Sequence, residues 1–167
     1  MPCKYAMITN VISLKPDMEA GEALDVLHDN KIRCAPVLDQ DGNLLGMFSL
    51  ENVLKHLLPV SARMEDGLRR LDFVVGAAPG IAKRLRKLRL LRLEDIMDTK
   101  IVVLHPDTQT WEGIRLLVRY GSPLPVVEEG SRKLCGLMTE QSALNEMSKS
   151  PEELEAREIE DIKKGAS

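Results

Sequence analysis

The sequence predicts an α/β (α+β) fold made of two β-α-β-β-α units packed against each other, with a helical insert between them. Three observations carry this. The first is a stretch written twice. Ala35-Pro36-Val37-Leu38-Asp39 leads through a Gly turn to Leu44-Leu45-Gly46-Met47-Phe48-Ser49, and Leu124-Pro125-Val126-Val127-Glu128 leads through another to Leu134-Cys135-Gly136-Leu137-Met138-Thr139. The second is register: Met7 and Met97, Pro16 and Pro106, Leu27 and Leu117, Gly46 and Gly136, and Ser49 and Thr139 are all 90 residues apart, whereas Pro36 and Pro125 are 89 apart. A residue is lost before the Pro-Val strand and regained in the next turn, so the length changes fall in loops and the apolar faces stay in phase. The third is size. The 167 residues can bury a substantial core, but each copy alone is too small to bury its sheet well, so the copies must cover one another.

Each element has a local reason. Residues 7–14 read as a loop leading into a short strand, ended by Pro16, with Asp17 placed to cap the helix that follows. In that helix Ala20, Ala23, Leu24 and Leu27 form one apolar face, and Asp29-Asn30-Lys31 breaks it. A strand over 32–38, a turn carrying Asp41-Gly42, and a strand over 44–48 make a hairpin. From Ser49 the pattern turns helical, with Val53, Leu54, Leu57 and Leu58 apolar and Pro59 limiting its run. These elements place the first copy at 6–58 and the second at 93–147. Between them, 59–92 is a basic helical insert. It has a weak helical pattern through Met64, Leu68 and Leu71, a break at 76–80, and a basic amphipathic helix from Ile81 with Leu85 and Leu88 on its apolar side. Residues 148–167 form an acidic helical tail that frays at its end.

Net charge is −3, but between residues 61 and 92 nine Lys/Arg face three Asp/Glu, a local balance of +6 that leaves −9 for the rest. As a surface helix packing on its own module or a partner copy, the insert needs nothing special. As a nucleic-acid or anionic-membrane contact it has the charge but no interleaved aromatic residue to stack bases. It could also serve as an arm offering arginines to a phosphate or an acidic partner. Three cysteines, Cys3, Cys34 and Cys135, lack metal-ligand spacing, and Cys34 and Cys135 read as buried free thiols in strands. No apolar run approaches the roughly 18–20 residues of a membrane span, and no signal peptide is apparent, so a soluble, cytoplasmic protein is expected. The three histidines, His28, His56 and His105, are scattered, and neither a metal site nor a nucleophile–base pair is expected.

The duplicated pattern resembles the tandem cystathionine-beta-synthase (CBS) domain pair, or Bateman module. The residues that carry the resemblance are Met7 with Val11-Ile12, Asp95-Ile96-Met97 before Ile101-Val102-Val103, the two Pro-Val strands, Gly46-Met47-Phe48-Ser49 and Gly136-Leu137-Met138-Thr139. The resemblance implies a regulatory module rather than an enzyme, with pseudo-twofold packing of the repeats. It also implies clefts that take AMP, ADP, ATP or S-adenosylmethionine, and a homodimer and a protein target are expected with it. The candidate ligand residues it implies are Asn10, Ala35, Pro36, Val37, Ser49, Asn52 and Lys100 with the first copy, and Leu124, Pro125, Val126, Thr139 and Ser142 with the second. The base would lie on the main chain of the Pro-Val strand, the Ser/Thr hydroxyl would face phosphate, and the residue three positions later would grip the ribose.

The chemistry of those roles can be stated separately. A hydroxyl at a helix N-terminus sits beside free N–H groups and the positive end of the dipole, a natural anion seat. A carboxylate accepts from both ribose hydroxyls at once. Here the gripping positions hold Asn52 and Ser142 instead of aspartate, an uncharged acceptor and a side chain too short to span the distance without a water. Ser49 and Thr139 are also explained as plain helix N-caps, Pro36 and Pro125 as edge-strand residues, and Lys100 as an exposed lysine. A ligand-free interaction module therefore stands beside the nucleotide-sensing one.

Overall fold

In a computed structural model, residues 1–58 and 78–166 are described. They hold a 3-10 turn (Cys3–Tyr5), α1 (Ala20–Asp29), β1 (Cys34–Leu38), β2 (Leu44–Ser49), α2 (Leu50–Leu57), α3 (Ala78–Leu88), α4 (Leu93–Ile96), α5 (Thr110–Tyr120), β3 (Leu124–Val127), β4 (Leu134–Met138), α6 (Glu140–Met147) and α7 (Pro151–Gly165). The weak helical pattern through Met64, Leu68 and Leu71 lies outside the described residues. The mixed helix-and-strand fold and the duplication are as the sequence predicts.

The chain folds into two compact units that cross the repeat windows. One comprises Asn10–Ile101 and Val127–Leu134; the other comprises Met1–Thr9, Val102–Val126 and Cys135–Ser167. They are called here the first-repeat and second-repeat units. The segment heading each copy thus packs in the unit of the other.

In the first-repeat unit β1 and β2 pair antiparallel, Cys34 opposite Ser49 and Pro36 opposite Met47, with an irregularity after Val37. The expected strand before Pro16 shrinks to an isolated parallel bridge, Leu14 to Val37. Leu14 N–H donates to the Pro36 carbonyl at 2.9 Å, and Leu38 N–H donates to the Leu14 carbonyl at 2.9 Å. Pro36 is fully buried, with its missing N–H on the side that faces Leu14; it does not sit on an open edge. On the other flank Met47 and Asp98 exchange both main-chain bonds at 2.9 Å. This approach explains Gly46: a Cβ there would lie 2.8 Å from the Asp98 carbonyl oxygen and 2.8 Å from the Met97 sulfur.

Ala20, Ala23 and Leu27 of α1 enter a core with Leu14, Ala35, Val37, Phe48, Val53, Leu57, Leu88, Leu93 and Ile96. Asp17 does not cap α1. The N-cap is Glu19 without a side-chain bond. Backbone takes its place, because Ala20 and Gly21 N–H donate to the carbonyls of Leu91 and Arg89 at 2.8 and 2.9 Å. Leu54, expected on the apolar face of α2, is exposed, since Val53 and Leu57 already fill the core side. The basic helix starts at Ala78, with Pro79 in its first turn where a missing N–H is harmless, and ends at Leu88 rather than running to Leu93. Its Ile81 and Leu85 pack on the same core.

The second-repeat unit repeats this plan. Leu104 bridges Val126 and donates to the Pro125 carbonyl at 2.8 Å, and Ile8 exchanges bonds with Leu137 at 2.7 and 2.9 Å. A Cβ on Gly136 would lie 2.5 Å from the Ile8 carbonyl oxygen. Thr110 N–H, at the start of α5, donates to the Met1 carbonyl at 2.8 Å, as Ala20 does to Leu91. The core joins Cys3, Ala6, Leu104, Leu117, Leu124, Val126, Met138 and Ala143. The fully buried thiol is Cys3, whereas Cys34 and Cys135 are half-buried, and none of the three is in a disulfide.

Candidate functional site

In the first-repeat unit the site is built from β1, the end of β2 and the first turn of α2. Ala35, Pro36 and Val37 are buried, so they offer main chain, not side chains, to any ligand. The Pro36 carbonyl already accepts from Leu14, which leaves it one lone pair. Ser49 ends β2 and is the N-cap of α2, its Oγ accepting from Asn52 N–H at 3.0 Å. That bond occupies the hydroxyl as an acceptor and leaves its proton to donate. Asn52 stands over the same turn. Its Oδ1 is buried and has no hydrogen-bond partner among the described residues. An orphaned buried acceptor is costly unless something donates to it, and few native groups of this kind lack a role.

The surroundings of this turn are acidic. Cys34, opposite Ser49, has its thiol pushed up to about 12 by burial, with the charges of Asp98 and Glu51 acting in the same direction. A thiol held protonated in this way is a packing group, not a nucleophile. Glu51 pairs with Lys55 at 3.3 Å. Lys100 is exposed, its N–H donating to Asp98 Oδ1 at 3.1 Å, and Asn10 is exposed as well.

In the second-repeat unit Leu124, Pro125 and Val126 are buried like their counterparts. Thr139 is the N-cap of α6 and accepts from Ser142 N–H at 3.0 Å. The difference lies in Ser142. Its Oγ accepts from Thr139 N–H at 2.9 Å and donates to the Thr139 carbonyl at 3.1 Å. This reciprocal capping box turns Ser142 back onto the helix start and engages its proton. The first copy thus has a buried acceptor without a donor among the described residues, while in the second the Ser142 hydroxyl both accepts and donates within the turn.

One buried polar cluster was not anticipated from the sequence. Glu146, on α6, is only 2% exposed and pairs with Lys149 at 2.7 Å and with Arg157 of α7 at 2.5 Å. The Arg157 guanidinium also lies 4.0 Å over the ring of Tyr5, whose hydroxyl donates to Asp161. Burial works to raise the Glu146 carboxyl, but the bonds from Arg157 and Lys149 prevail and hold it below its ordinary value. Tail and N-terminal segment are thereby clasped to one carboxylate. The available signal was an aromatic near the start and an arginine among acids near the end, too thin to join them. No helix among the described residues is long and apolar enough to cross a membrane.

Comparison with known proteins bears on both repeats. The chain is 30% identical over 86 residues to the inosine-5'-monophosphate dehydrogenase of Methanocaldococcus jannaschii, which covers 51% of this chain and 17% of that enzyme. It spans 15% of the corresponding Thermoplasma acidophilum enzyme. An uncharacterised protein of M. jannaschii is 27% identical over 146 residues, covering 80% of this chain and 86% of that one. Among solved structures, CBSX2 of Arabidopsis thaliana in complex with AMP superposes with a TM-score of 0.63 at 24% identity, covering 86% of this chain and 93% of that one. The family model of the CBS domain matches twice, over residues 3–59 and 93–149, which together make up more than half of the sequence. With two matches in tandem and two units of one plan, the chain belongs to the CBS-domain family as a CBS pair.

Proposed function

We propose that this chain is a regulatory, non-catalytic CBS pair that binds an adenosine-containing ligand through its first repeat and acts as a homodimer. The observation that carries the reading is the buried, partnerless Asn52 Oδ1 three residues after the Ser49 cap. An acceptor there suits a ribose hydroxyl, which must donate. The Ser49 hydroxyl, already used as an acceptor, is left to donate to a phosphate or another acceptor. Similarity to a CBS pair solved with AMP supports the ligand class, and the ligands to consider are AMP, ADP, ATP and S-adenosylmethionine.

Titration calorimetry with those four ligands tests the reading. One ligand per chain is expected, with binding abolished by Asn52→Leu and preserved in Ser142→Ala. Absence of heat and of any thermal shift at millimolar ligand would remove it, since binding stabilises by RT ln(1 + [L]/Kd) and even a weak site would register. The second reading, an interaction module without a ligand, is favoured by the closed capping box at Ser142. It predicts that neither repeat binds until aspartate is installed at position 52.

A further inference from the structure

We infer that the outer face of α5 and α6 is a docking groove for an amphipathic helix of a partner protein, the part that α3 plays in cis on α1 and α2. The groove gives the regulatory reading above a surface through which to act, and it lies wholly within the second-repeat unit.

The first repeat shows how such a groove is filled. α3 lays Ile81, Leu85 and Leu88, at spacings of 4 and 7, on the core that holds Leu57 at the end of α2. Arg84 donates to the Leu57 carbonyl at 3.2 Å. Just past the end of α3 the Arg89 carbonyl accepts from Gly21 N–H at 2.9 Å, and the Arg89 guanidinium pairs with Asp25 at 3.4 Å. Under this cover Gly21 and Leu57 are buried.

Ninety residues on, the positions of Gly21, Asp25 and Leu57 carry Trp111, Arg115 and Met147. Trp111 is 67% exposed and Met147 58%, where Leu57 is 7%. Trp111, Arg115 and Val118 fall at spacings of 4 and 7 on α5, and Leu144 and Met147 stand three apart on α6. Val118 and Leu144 are exposed too. The tail helix α7 meets this unit through Arg157, on Glu146 and Tyr5, and leaves these side chains open. Exposed apolar side chains gathered on one helix pair mark an interaction surface, and tryptophan is among the residues that dominate such contacts.

The chemistry of the occupant follows from the differences between the repeats. A Cβ on Gly21 would lie 3.1 Å from the Arg89 carbonyl oxygen, so no backbone passes as close over Trp111, and the occupant rests on the indole instead. Asp25 takes an arginine, whereas Arg115 calls for a carboxylate. Arg115 bonds Glu112 through Nε at 2.8 Å and one Nη at 2.6 Å, which engages two of its five donors. The fitting partner is a helix with apolar residues at spacings of 4 and 7 and an acidic residue at the end that meets α5.

Trp111 is the sole tryptophan of the sequence, so its fluorescence reads this groove alone. The probe is a synthetic peptide of residues 78–92 carrying Arg89→Glu, stapled on its solvent side to hold it helical and titrated into the full-length chain. A saturable blue shift of Trp111 emission is expected. Met147→Glu, on an exposed position and with an unchanged melting curve as the folding control, should weaken binding at least about tenfold. In Arg115→Glu the preference should reverse, the peptide that keeps Arg89 binding about fivefold more tightly than the one with glutamate. No shift at millimolar peptide overturns the inference, as do a shift that survives Met147→Glu and an unchanged preference in Arg115→Glu. A blue shift that grows with protein concentration alone, with a dimer in sedimentation velocity that Met147→Glu dissolves, assigns the groove to a second copy and overturns it as well. Calorimetry with adenosyl ligands does not involve the peptide, so failure here leaves the ligand reading standing, and failure there leaves the groove.

Discussion

At the start of α2, Ser49 accepts a single main-chain bond and Asn52 Oδ1 is buried with no donor among the described residues. At the start of α6, Thr139 and Ser142 bond reciprocally and close the turn on itself. The strands, glycines and prolines leading up to these two turns make corresponding main-chain contacts. The carbonyl of Asp98 lies over Gly46 as that of Ile8 lies over Gly136, and the carbonyls of Pro36 and Pro125 accept from Leu14 and Leu104. Duplication has kept the groups that pack, while the residues three after each cap have diverged. One helix start leaves a buried acceptor without a donor among the described residues, and the other closes on itself.

The largest expected effect tests the shared part of this comparison. Gly136→Ala should destabilise the protein by about 3 kcal/mol and Gly46→Ala by about 2, measured by urea unfolding, because each new methyl meets a backbone carbonyl that cannot move away easily. The order follows the approach distances of 2.5 and 2.8 Å. Equal and small losses would mean that the flanking segments are not held where they lie.

Next comes the clasp present only in the second-repeat unit. Arg157→Ala removes one partner from a buried carboxylate and should cost about 2 kcal/mol, less than a fully orphaned charge because Lys149 remains. The pH dependence has a definite sign. Glu146 is lowered in the folded state, so its contribution is complete above the ordinary glutamate pKa of about 4.3 and is lost as pH falls through the lowered value. The stability difference between wild type and Arg157→Ala should therefore shrink on acidification below that range. A difference that stays constant down to pH 2 would detach it from Glu146.

The smallest effects discriminate the two helix starts themselves. Asn52→Asp should tighten adenosyl-ligand binding about tenfold, the gain of a charged over a neutral hydrogen bond, while Ser142→Asp should create no comparable site. In the absence of ligand, Ser142→Ala should cost about 1 kcal/mol through the lost cap, whereas Asn52→Ala should be close to neutral because its Oδ1 has nothing to lose. Paired melting curves with and without ligand measure both.

Much of the fold was legible because duplication doubles every signal. A lone Pro-Val or Gly-x-x-Ser is weak, but two copies in a 90-residue register are not. Capping was misread at Asp17 because the donors of α1 are met by main-chain carbonyls of Leu91 and Arg89, and backbone partners leave no trace in side-chain type. The role of Ser142 escaped for the opposite reason: a short hydroxyl residue three after a threonine suits a capping box as well as a ligand, and only geometry separates them. Glu146 was unreadable because its burial depends on Arg157 and Tyr5, the latter more than a hundred residues away.

The crossing of head segments between units has a consequence for how the chain is made. Residues 1–9 leave the ribosome before their partners at 104–110 and 137. The first-repeat sheet, for its part, waits for Asp98 to reach Met47. Neither unit can close while only its own repeat has been synthesised, so early contacts are local and the closing ones run from about 50 residues (Met47 to Asp98) to about 130 (Ile8 to Leu137), a slow topology for a protein of this size. A permuted form of this sequence that opens between residues 59 and 77, with Ser167 joined to Met1, would synthesise residues 78–166 before residues 1–58 and reverse the order in which these partners emerge.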